Sequence, residues 1–157
     1  LTRPESVIAL NLRRPEVMAR AVLDAETTAW RLAAADVVAI GPGLGQHDWG
    51  RTLFSAALAA ARPLVIDADA LNLLAEFPRA LPDAVLTPHP GEAARLLGCR
   101  SADVQADRFA AAQALVDRFG AVVVLKGAGT LVAAPGETTR LVDAGHPGMV
   151  SAGMGDA

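Results

Sequence analysis

The sequence predicts an α/β fold with a mostly parallel central sheet covered by helices. Four short apolar runs rich in branched residues, at 36–40, 63–66, 84–86 and 121–125, alternate with longer segments of helical composition. These runs are apolar at successive positions, which is typical of strands buried on both faces. Strands that alternate with helices in this way are joined by right-handed crossovers almost without exception.

Composition narrows the class of protein. The chain has 157 residues, of which 52% are hydrophobic and 20% charged, so a single globular domain with a substantial core is expected. A net charge of −3 without a basic run argues against nucleic acid or an anionic membrane as a partner. The single cysteine, Cys99, cannot form an internal disulfide, which favours a reducing compartment and a buried thiol. Neither a membrane-spanning run nor a signal segment is predicted.

Helical composition fills the segments between the strands. The predicted helices span, in chain order, residues 25–35, 48–61, 71–77, 92–97 and 101–119. Asp24, Asp69 and Ser101 precede helical segments as candidate N-caps, because their side chains can accept from the free N–H groups of a first turn. Gly98 and Gly120 are predicted to end two of these helices, as glycine commonly does.

The faces of the helices and the end of the sheet are also predicted. Trp30 and Leu32 are expected to anchor the first helix in the core, and Phe109 lies on the predicted buried side of the last helix. After the fourth strand, residues 130–134 and 138–142 flank a Pro-Gly pair, which indicates a β-hairpin.

Polar or glycine-rich motifs follow each of the four predicted strands. They occupy residues 41–45, 67–72, 87–92 and 126–130. Parallel strands end at the same edge of an α/β sheet, and ligands bind at that edge. The four motifs, together with a glycine-rich stretch at 146–156, therefore predict a single site.

The first two motifs each allow two interpretations. In residues 41–45 (GPGLG), Gly43 and Gly45 fit either a backbone wrapped around a phosphate or ribose, or a tight strand-to-helix turn. The spacing matches neither a Walker loop nor a dinucleotide fingerprint. After the second strand, Asp67 and Asp69 fit contacts to a substrate hydroxyl or to a hydrated Mg²⁺, or Asp69 caps the following helix. Asn72 either contacts the same ligand or stabilises the turn.

The next two motifs carry an imidazole and an ammonium. His89 lies between two prolines, which stiffen its backbone and favour a contact with a ligand or a role in proton transfer. Glu92 either contacts that ligand or complements a helix dipole. Lys126, the only lysine, precedes Gly127 and Gly129 and fits either neutralisation of a phosphate or extension into solvent.

The last motif contains Gly153, Gly155 and Asp156. The two glycines allow successive N–H groups to form an anion-binding hollow. A carboxylate beside that hollow suits a base that takes a proton from a hydroxyl attacking a phosphoryl group. An ordinary glycine-rich turn with Asp156 as a helix cap is the alternative.

Taken together, five strings resemble one family: "VVAIGPGLGQ", "VIDADALNLL", "LTPHPGEAARLLG", "VVVLKGAGTLVAAP" and "GMVSAGMGDA". They closely resemble the NAD(P)H-hydrate dehydratases, and they run in order over nearly the whole chain. The resemblance implies a three-layer ribokinase-like fold. It also implies repair of hydrated NADH or NADPH, with ADP or ATP as phosphoryl donor and with Mg²⁺, by phosphorylation of the ring hydroxyl and elimination of phosphate.

The resemblance also implies roles for individual residues. Asp156 matches the base that activates the hydroxyl, and Gly153 and Gly155 match the anion hole. His89 and Gly45 match contacts to the hydrated dinucleotide, which Asp156 also contacts. The segment matching the nucleotide-binding residues consists of Lys126, Gly127, Ala128, Gly129 and Thr130, with Gly155 also beside the nucleotide. No direct protein ligand to the metal is implied.

Members of this family have more chain on both sides of the matched region. The resemblance therefore implies that residues 1–157 are one partial dehydratase domain in a cytoplasmic protein. Many members of the family also carry a fused epimerase domain, and the sequence is compatible with a homo-oligomer. Two alternatives to the dehydratase stay open at this point. One is a ribokinase-like kinase that phosphorylates a small alcohol, and the other is an inactive nucleotide-binding fragment.

Overall fold

A computed structural model describes residues 1–143 of the chain. The helices are α1 (Pro4–Arg13), α2 (Ala25–Ala33), α3 (Asp48–Ala59), α4 (Ala68–Glu76), α5 (Pro90–Leu97), α6 (Ser101–Ala106) and α7 (Arg108–Phe119). The strands are β1 (Val38–Ile40), β2 (Leu64–Ile66), β3 (Ala84–Leu86), β4 (Val122–Leu125), β5 (Thr130–Ala133) and β6 (Arg140–Val142). All six strands belong to one sheet, in the order in which they occur in the chain.

The sheet is mostly parallel. Strands β1 to β4 pair in parallel, and Ile40, Ile66 and Leu86 lie level with one another at their carboxyl ends. Strands β5 and β6 continue the sheet in antiparallel pairing. The predicted α/β class and the predicted terminal hairpin are both confirmed.

Side-chain burial distinguishes the two faces of the sheet. Successive right-handed crossovers between neighbouring strands carry α3, α4, α5 and α7 to the same face, and each of these helices contacts the next. Ile66, Leu86 and Leu125 on that face are fully buried. On the opposite face, alternate residues such as Val65 and Val85 are only half-buried by residues 1–143. The helix-covered face therefore contains the core.

Several helix ends follow the sequence prediction. Asp24 precedes α2, and its carboxylate accepts from the Thr27 N–H at 2.6 Å. Gly98 and Gly120 end α5 and α7 in the left-handed conformation, with φ of +70° and +66°. These positions confirm that local capping chemistry determines where the helices begin and end.

The prediction of one continuous helix over residues 101–119 is wrong, because the structure has two helices there. The segment divides into α6 and α7 at Asp107, whose carboxylate accepts from the Ala110 N–H at 2.9 Å and so begins a new helix. Ser101 is the first residue of α6 and not its N-cap. Phe109, in the first turn of α7, is exposed, contrary to the prediction.

Two other burial predictions are also wrong. Trp30 is 67% exposed, and only Leu32 of the predicted pair packs into the core. Cys99 is exposed because it follows the glycine that ends α5, where the chain leaves the packed face. No helix within residues 1–143 exceeds 12 residues, and none of them is long and apolar enough to cross a bilayer.

Candidate functional site

The four polar motifs meet at the carboxyl edge of the parallel strands. Residues 41–45 follow β1, 67–72 follow β2, 87–92 follow β3 and 126–130 follow β4. Hydrogen bonds or close backbone packing join the loop after β1 to the loop after β2, the loop after β2 to the loop after β4, and the loop after β4 to the loop after β3. The sequence therefore predicted correctly that the motifs gather at one edge.

The loops after β1 and β2 touch through Gly41. The Asp67 N–H donates to the Ile40 carbonyl at 3.1 Å, and a Cβ on Gly41 would lie 1.8 Å from the Asp67 carbonyl oxygen. Gly41 also has a φ of +143°, which side chains rarely tolerate. Only glycine allows this approach, whereas Gly43 and Gly45 were the glycines predicted to lie against a ligand or in a tight turn.

Asp69 connects the same two loops. Its carboxylate accepts from the Gly45 N–H at 2.8 Å and from the Gln46 amide at 3.4 Å. The prediction that Asp69 is the N-cap of α4 is therefore wrong, because α4 already begins at Ala68. The bond gives Gly45 a defined structural partner, while Gly43 is exposed at the tip of the loop.

An ion pair lies near the centre of the edge. The Lys126 ammonium donates to Asp67 Oδ1 at 2.8 Å, and the two side chains are 26% and 10% exposed. Lys126 therefore does not extend freely into solvent. Asp67 occupies the N-cap position of α4, but its carboxylate makes no capping bond there and is directed to Lys126 instead.

His89 and Glu92 form a reciprocal capping box at the start of α5. His89 Nδ1 accepts from the Gly91 N–H at 2.9 Å, and Glu92 Oε2 accepts from the His89 N–H at 2.8 Å. An accepting Nδ1 carries no proton, so the neutral imidazole carries its hydrogen on Nε2. This nitrogen lies 3.4 Å from Glu92 Oε1 on a half-exposed ring. Glu92 is itself buried.

Asn72 is directed toward a different feature. Its side-chain oxygen accepts from Arg95 Nη1 at 2.8 Å, which ties α4 to α5. Together with Gln46 and Glu76, this pair lines a polar cavity of about 370 Å³. The structure therefore separates the hydrogen bonding of Asn72 from that of Asp67, although the sequence grouped them in one motif.

The loop after β4 is attached to the loop after β3. The Lys126 N–H donates to the Pro88 carbonyl at 2.8 Å, and Thr130 Oγ1 donates to the Gly127 carbonyl at 3.3 Å. Gly127 and Ala128 are exposed, as access by a ligand requires. Arg108, at the start of α7, also binds this loop, although nothing in the sequence pattern had indicated it.

The remaining site predictions concern the last glycine-rich motif and a metal ion. Gly153, Gly155 and Asp156 lie outside the described residues. Among residues 1–143, no group of three His, Cys, Asp or Glu side chains could hold a metal ion. Asp67, near the centre of the edge, is already paired with Lys126, so an Mg²⁺ bound here would be held mainly by water and phosphate.

Comparison with solved structures establishes the fold class. The chain resembles a ribokinase-like superfamily protein from Enterococcus faecalis V583, with a TM-score of 0.87 and 28% identity, covering 99% of this chain and 55% of that one. It also resembles the ADP/ATP-dependent NAD(P)H-hydrate dehydratase of Bacillus subtilis, co-crystallised with ATP/Mg²⁺ and soaked with CoA. That match has a TM-score of 0.79 and 28% identity, and it covers 99% of this chain and 57% of the other. The predicted ribokinase-like α/β fold is confirmed.

Sequence comparison then establishes the family. The sequence model of a family described as NAD(P)H-hydrate dehydratase matches residues 1–157, and the chain belongs to this family. The bifunctional NAD(P)H-hydrate repair enzyme Nnr of Escherichia coli K12 is 50% identical over 156 residues. The ADP-dependent (S)-NAD(P)H-hydrate dehydratase of Neisseria meningitidis is 44% identical over 126 residues, which cover 76% of this chain and 43% of that protein. The E. coli match covers 99% of this chain but only 30% of the E. coli protein.

Proposed function

We propose that this chain forms part of an ADP-dependent dehydratase that restores NADH and NADPH from their hydrates. The observation that carries the proposal is the joining of four ligand-type loops at one sheet edge, around the Lys126–Asp67 ion pair. Family membership over residues 1–157 supports the same chemistry. Because the chain spans about 30% of the E. coli relative, the reaction is proposed for the intact protein.

The proposed nucleotide site is the loop after β4. Lys126 neutralises a phosphate, and the backbone from Gly127 to Thr130, through Ala128 and Gly129, lies against the nucleotide. Support comes from the exposure of Gly127 and Ala128, because a glycine-rich backbone without bulky side chains admits close contact.

The proposed site for the hydrated dinucleotide lies on the neighbouring loops. His89 Nε2 is its candidate polar contact, since Nδ1 is occupied by the capping box. Gly45 and the exposed Gly43 are proposed to approach the same ligand through their backbone. Asp67 and Glu92 are proposed to hold Lys126 and His89 in place, which their contacts favour over direct binding.

The proposed reaction has two steps. In the first step, Asp156 takes the proton of the ring hydroxyl as its oxygen attacks the terminal phosphoryl group of ADP, and AMP leaves. In the second, the bond between the ring carbon and the phosphorylated oxygen breaks, phosphate departs with the electron pair of that C–O bond, and loss of a proton from the adjacent ring carbon restores the dihydronicotinamide. Gly153 and Gly155 are proposed, from the sequence motif, to stabilise the charge on the transferred group. Mg²⁺ supplies charge neutralisation to the phosphates when bound.

Further properties of the intact protein are also proposed. Residues 1–157 belong to a single dehydratase domain, in keeping with the continuous family match. The E. coli and Leishmania relatives are named bifunctional, which supports a second, epimerase activity in the intact protein. A cytoplasmic location suits a small-molecule repair enzyme with one cysteine, and a homo-oligomer is compatible with this role.

A turnover assay tests the proposal. The intact protein is mixed with hydrated NADH, Mg²⁺ and ADP, then separately with ATP, and the return of dihydronicotinamide absorbance is followed. We expect recovery with ADP. A stable phosphorylated product without recovery would indicate a kinase, and nucleotide binding without any product would indicate a chain that binds but does not turn over.

Asp156→Asn provides the matched variant for this assay. A carboxamide keeps the shape of the side chain but cannot accept the proton, so we expect kcat to fall by about 10²–10⁴-fold. The Kd for ADP, measured by calorimetry, should change little. A loss of ADP affinity as large as the loss of rate would contradict the assignment of Asp156 as the base.

A further inference from the structure

Arg108, the first residue of α7, packs against the proposed nucleotide loop. Its Nη1 donates to the Ala128 carbonyl at 2.6 Å, and its Nη2 donates to the Leu125 carbonyl at 3.1 Å and approaches the Lys126 carbonyl at 3.4 Å. One half-buried guanidinium therefore binds three carbonyl oxygens of a four-residue stretch. This contact links α7 to the end of β4.

These contacts orient the loop's N–H groups. In a trans peptide the carbonyl and the N–H of the following residue point in opposite directions. With the Lys126 and Ala128 carbonyls turned to Arg108, the N–H groups of Gly127 and Gly129 point away from it. Such N–H groups bind anions when they converge on one side of a turn. Arg108 thus holds the loop with its donors facing away from α7.

The positive charge of Arg108 has no carboxylate partner among residues 1–143. By contrast, the Lys126 ammonium is paired with Asp67 at 2.8 Å. The positive charge of the lysine is therefore largely balanced before any ligand binds. Arg108 contributes a positive charge beside the same loop that no described carboxylate balances, and this favours an anion there.

Gly127 makes the close packing of Arg108 possible. A Cβ on Gly127 would lie 3.0 Å from Arg108 Nη2, and the residue has a φ of +146°. A side chain at this position would be strained by the positive φ and would require the guanidinium to shift by a few tenths of an ångström. The glycine and the arginine therefore form one unit, although 18 residues separate Arg108 from the Lys126 carbonyl.

We propose that Arg108 is a positioning residue for the binding of a nucleoside diphosphate. It orients the peptide N–H groups of Gly127 and Gly129 toward the phosphates and adds positive charge beside them. The proposal rests on the proposed nucleotide role of residues 126–130.

The test compares Arg108→Met with Arg118→Met in the intact protein. Arg118 lies on the same helix, is exposed and stacks near Phe119, so its loss serves as a matched control. For Arg108→Met we expect the Kd for ADP to rise by about tenfold or more, from lost charge-assisted bonds. The KM for hydrated NADH should stay within about twofold at saturating ADP. Guanidinium ion at millimolar concentration should restore part of the ADP affinity.

Three results would overturn the proposal. They are an unchanged ADP affinity in Arg108→Met, an equal loss of affinity for both substrates, and a loss that guanidinium does not reverse at all. If circular dichroism shows that Arg108→Met does not fold, Arg108→Lys is used in its place. It keeps the charge but loses the fork of donors, so its ADP affinity should fall by several-fold, and an unchanged affinity would refute the role.

Wild-type behaviour separates this proposal from the function on which it rests. If the wild-type protein neither binds ADP nor restores NADH, the proposed function itself fails. If the wild type binds ADP and Arg108→Met binds it equally well, only the role of Arg108 fails.

Discussion

At the scale of single residues, the Asp67–Lys126 pair combines structural and ligand-binding chemistry. The two side chains are mostly buried and 2.8 Å apart, so each satisfies a charge that would be costly alone. Lys126 also belongs to the proposed nucleotide loop. The Lys126 ammonium is held in position by the carboxylate, which also partly neutralises its charge. Arg108 can therefore add to the positive electrostatic potential beside the nucleotide loop.

Replacing the two partners separately and together distinguishes these roles. Lys126→Met leaves the Asp67 carboxylate without its partner, so we expect the free energy of unfolding to fall by about 1–3 kcal/mol. Adding Asp67→Asn should recover much of that loss, because the buried charge is then removed. ADP affinity should remain low in both variants. Urea unfolding measures the free energy of unfolding, and calorimetry measures the Kd for ADP. Recovery of ADP affinity in the double variant would show that Lys126 does not contact the nucleotide.

At the scale of elements, glycines determine how closely the loops approach. Gly41 and Gly43 both have positive φ, but only Gly41 lies against another backbone, that of Asp67. The comparison of the two positions therefore separates steric contact from conformational strain.

Gly41→Ala and Gly43→Ala form a matched pair of variants. Gly43→Ala should destabilise by about 1–2 kcal/mol, because a Cβ in the left-handed region is strained but meets nothing within 4 Å. Gly41→Ala should be far more damaging or prevent folding, because its Cβ would lie 1.8 Å from the Asp67 oxygen. Urea unfolding of the intact protein measures both, and similar losses in the two variants would contradict the packing argument.

The N-cap of α2 provides a pH-dependent test at the same scale. The Thr27 N–H, followed by the Thr27 hydroxyl, lowers the pKa of Asp24 below its ordinary value of 3.8. The stabilisation is therefore fully present above pH 3.8 and is lost as the pH falls through the lower pKa of the folded protein.

Asp24→Ala should accordingly lower the thermal midpoint at pH 7 and have less effect as the pH falls below 3.8. Asp24→Asn is the control, because it keeps an acceptor for Thr27 but cannot titrate. Differential scanning calorimetry across pH 3–7 would measure the difference. A difference between wild type and Asp24→Ala that did not change with pH would contradict the charged-cap argument.

At the scale of the whole molecule, the parallel sheet brings distant loops together. Each of β1 to β4 ends at the same edge, so four loops separated by up to 85 positions in the chain share one surface. The helices on the buried face support these loops from below, and α4, α5 and α7 each begin at that edge. The proposed phosphoryl transfer thus depends on an arrangement that no single loop could provide.

Much of this arrangement was predictable from the chain alone. Runs of apolar residues identify strands β1 to β4, and the polar residues that follow them identify the edge at which the four motifs meet, because burial and turn formation are encoded over a few neighbouring residues. Local capping chemistry likewise identified Asp24, Gly98 and Gly120 correctly. The break at Asp107 was missed, since helical composition continues on both sides of it and only the cap interrupts the helix.

Pairing between distant side chains required the tertiary structure. Lys126 and Asp67 are 59 residues apart, and Asp69 binds Gly45 across 24 residues. Such contacts depend on the strand order and on the rotational phase of each helix, which short sequence patterns do not encode. The fold class, the family and the edge at which the polar motifs gather thus followed from the sequence, whereas the packing of sheet and helices decided which residues hold Lys126 and its loop in place.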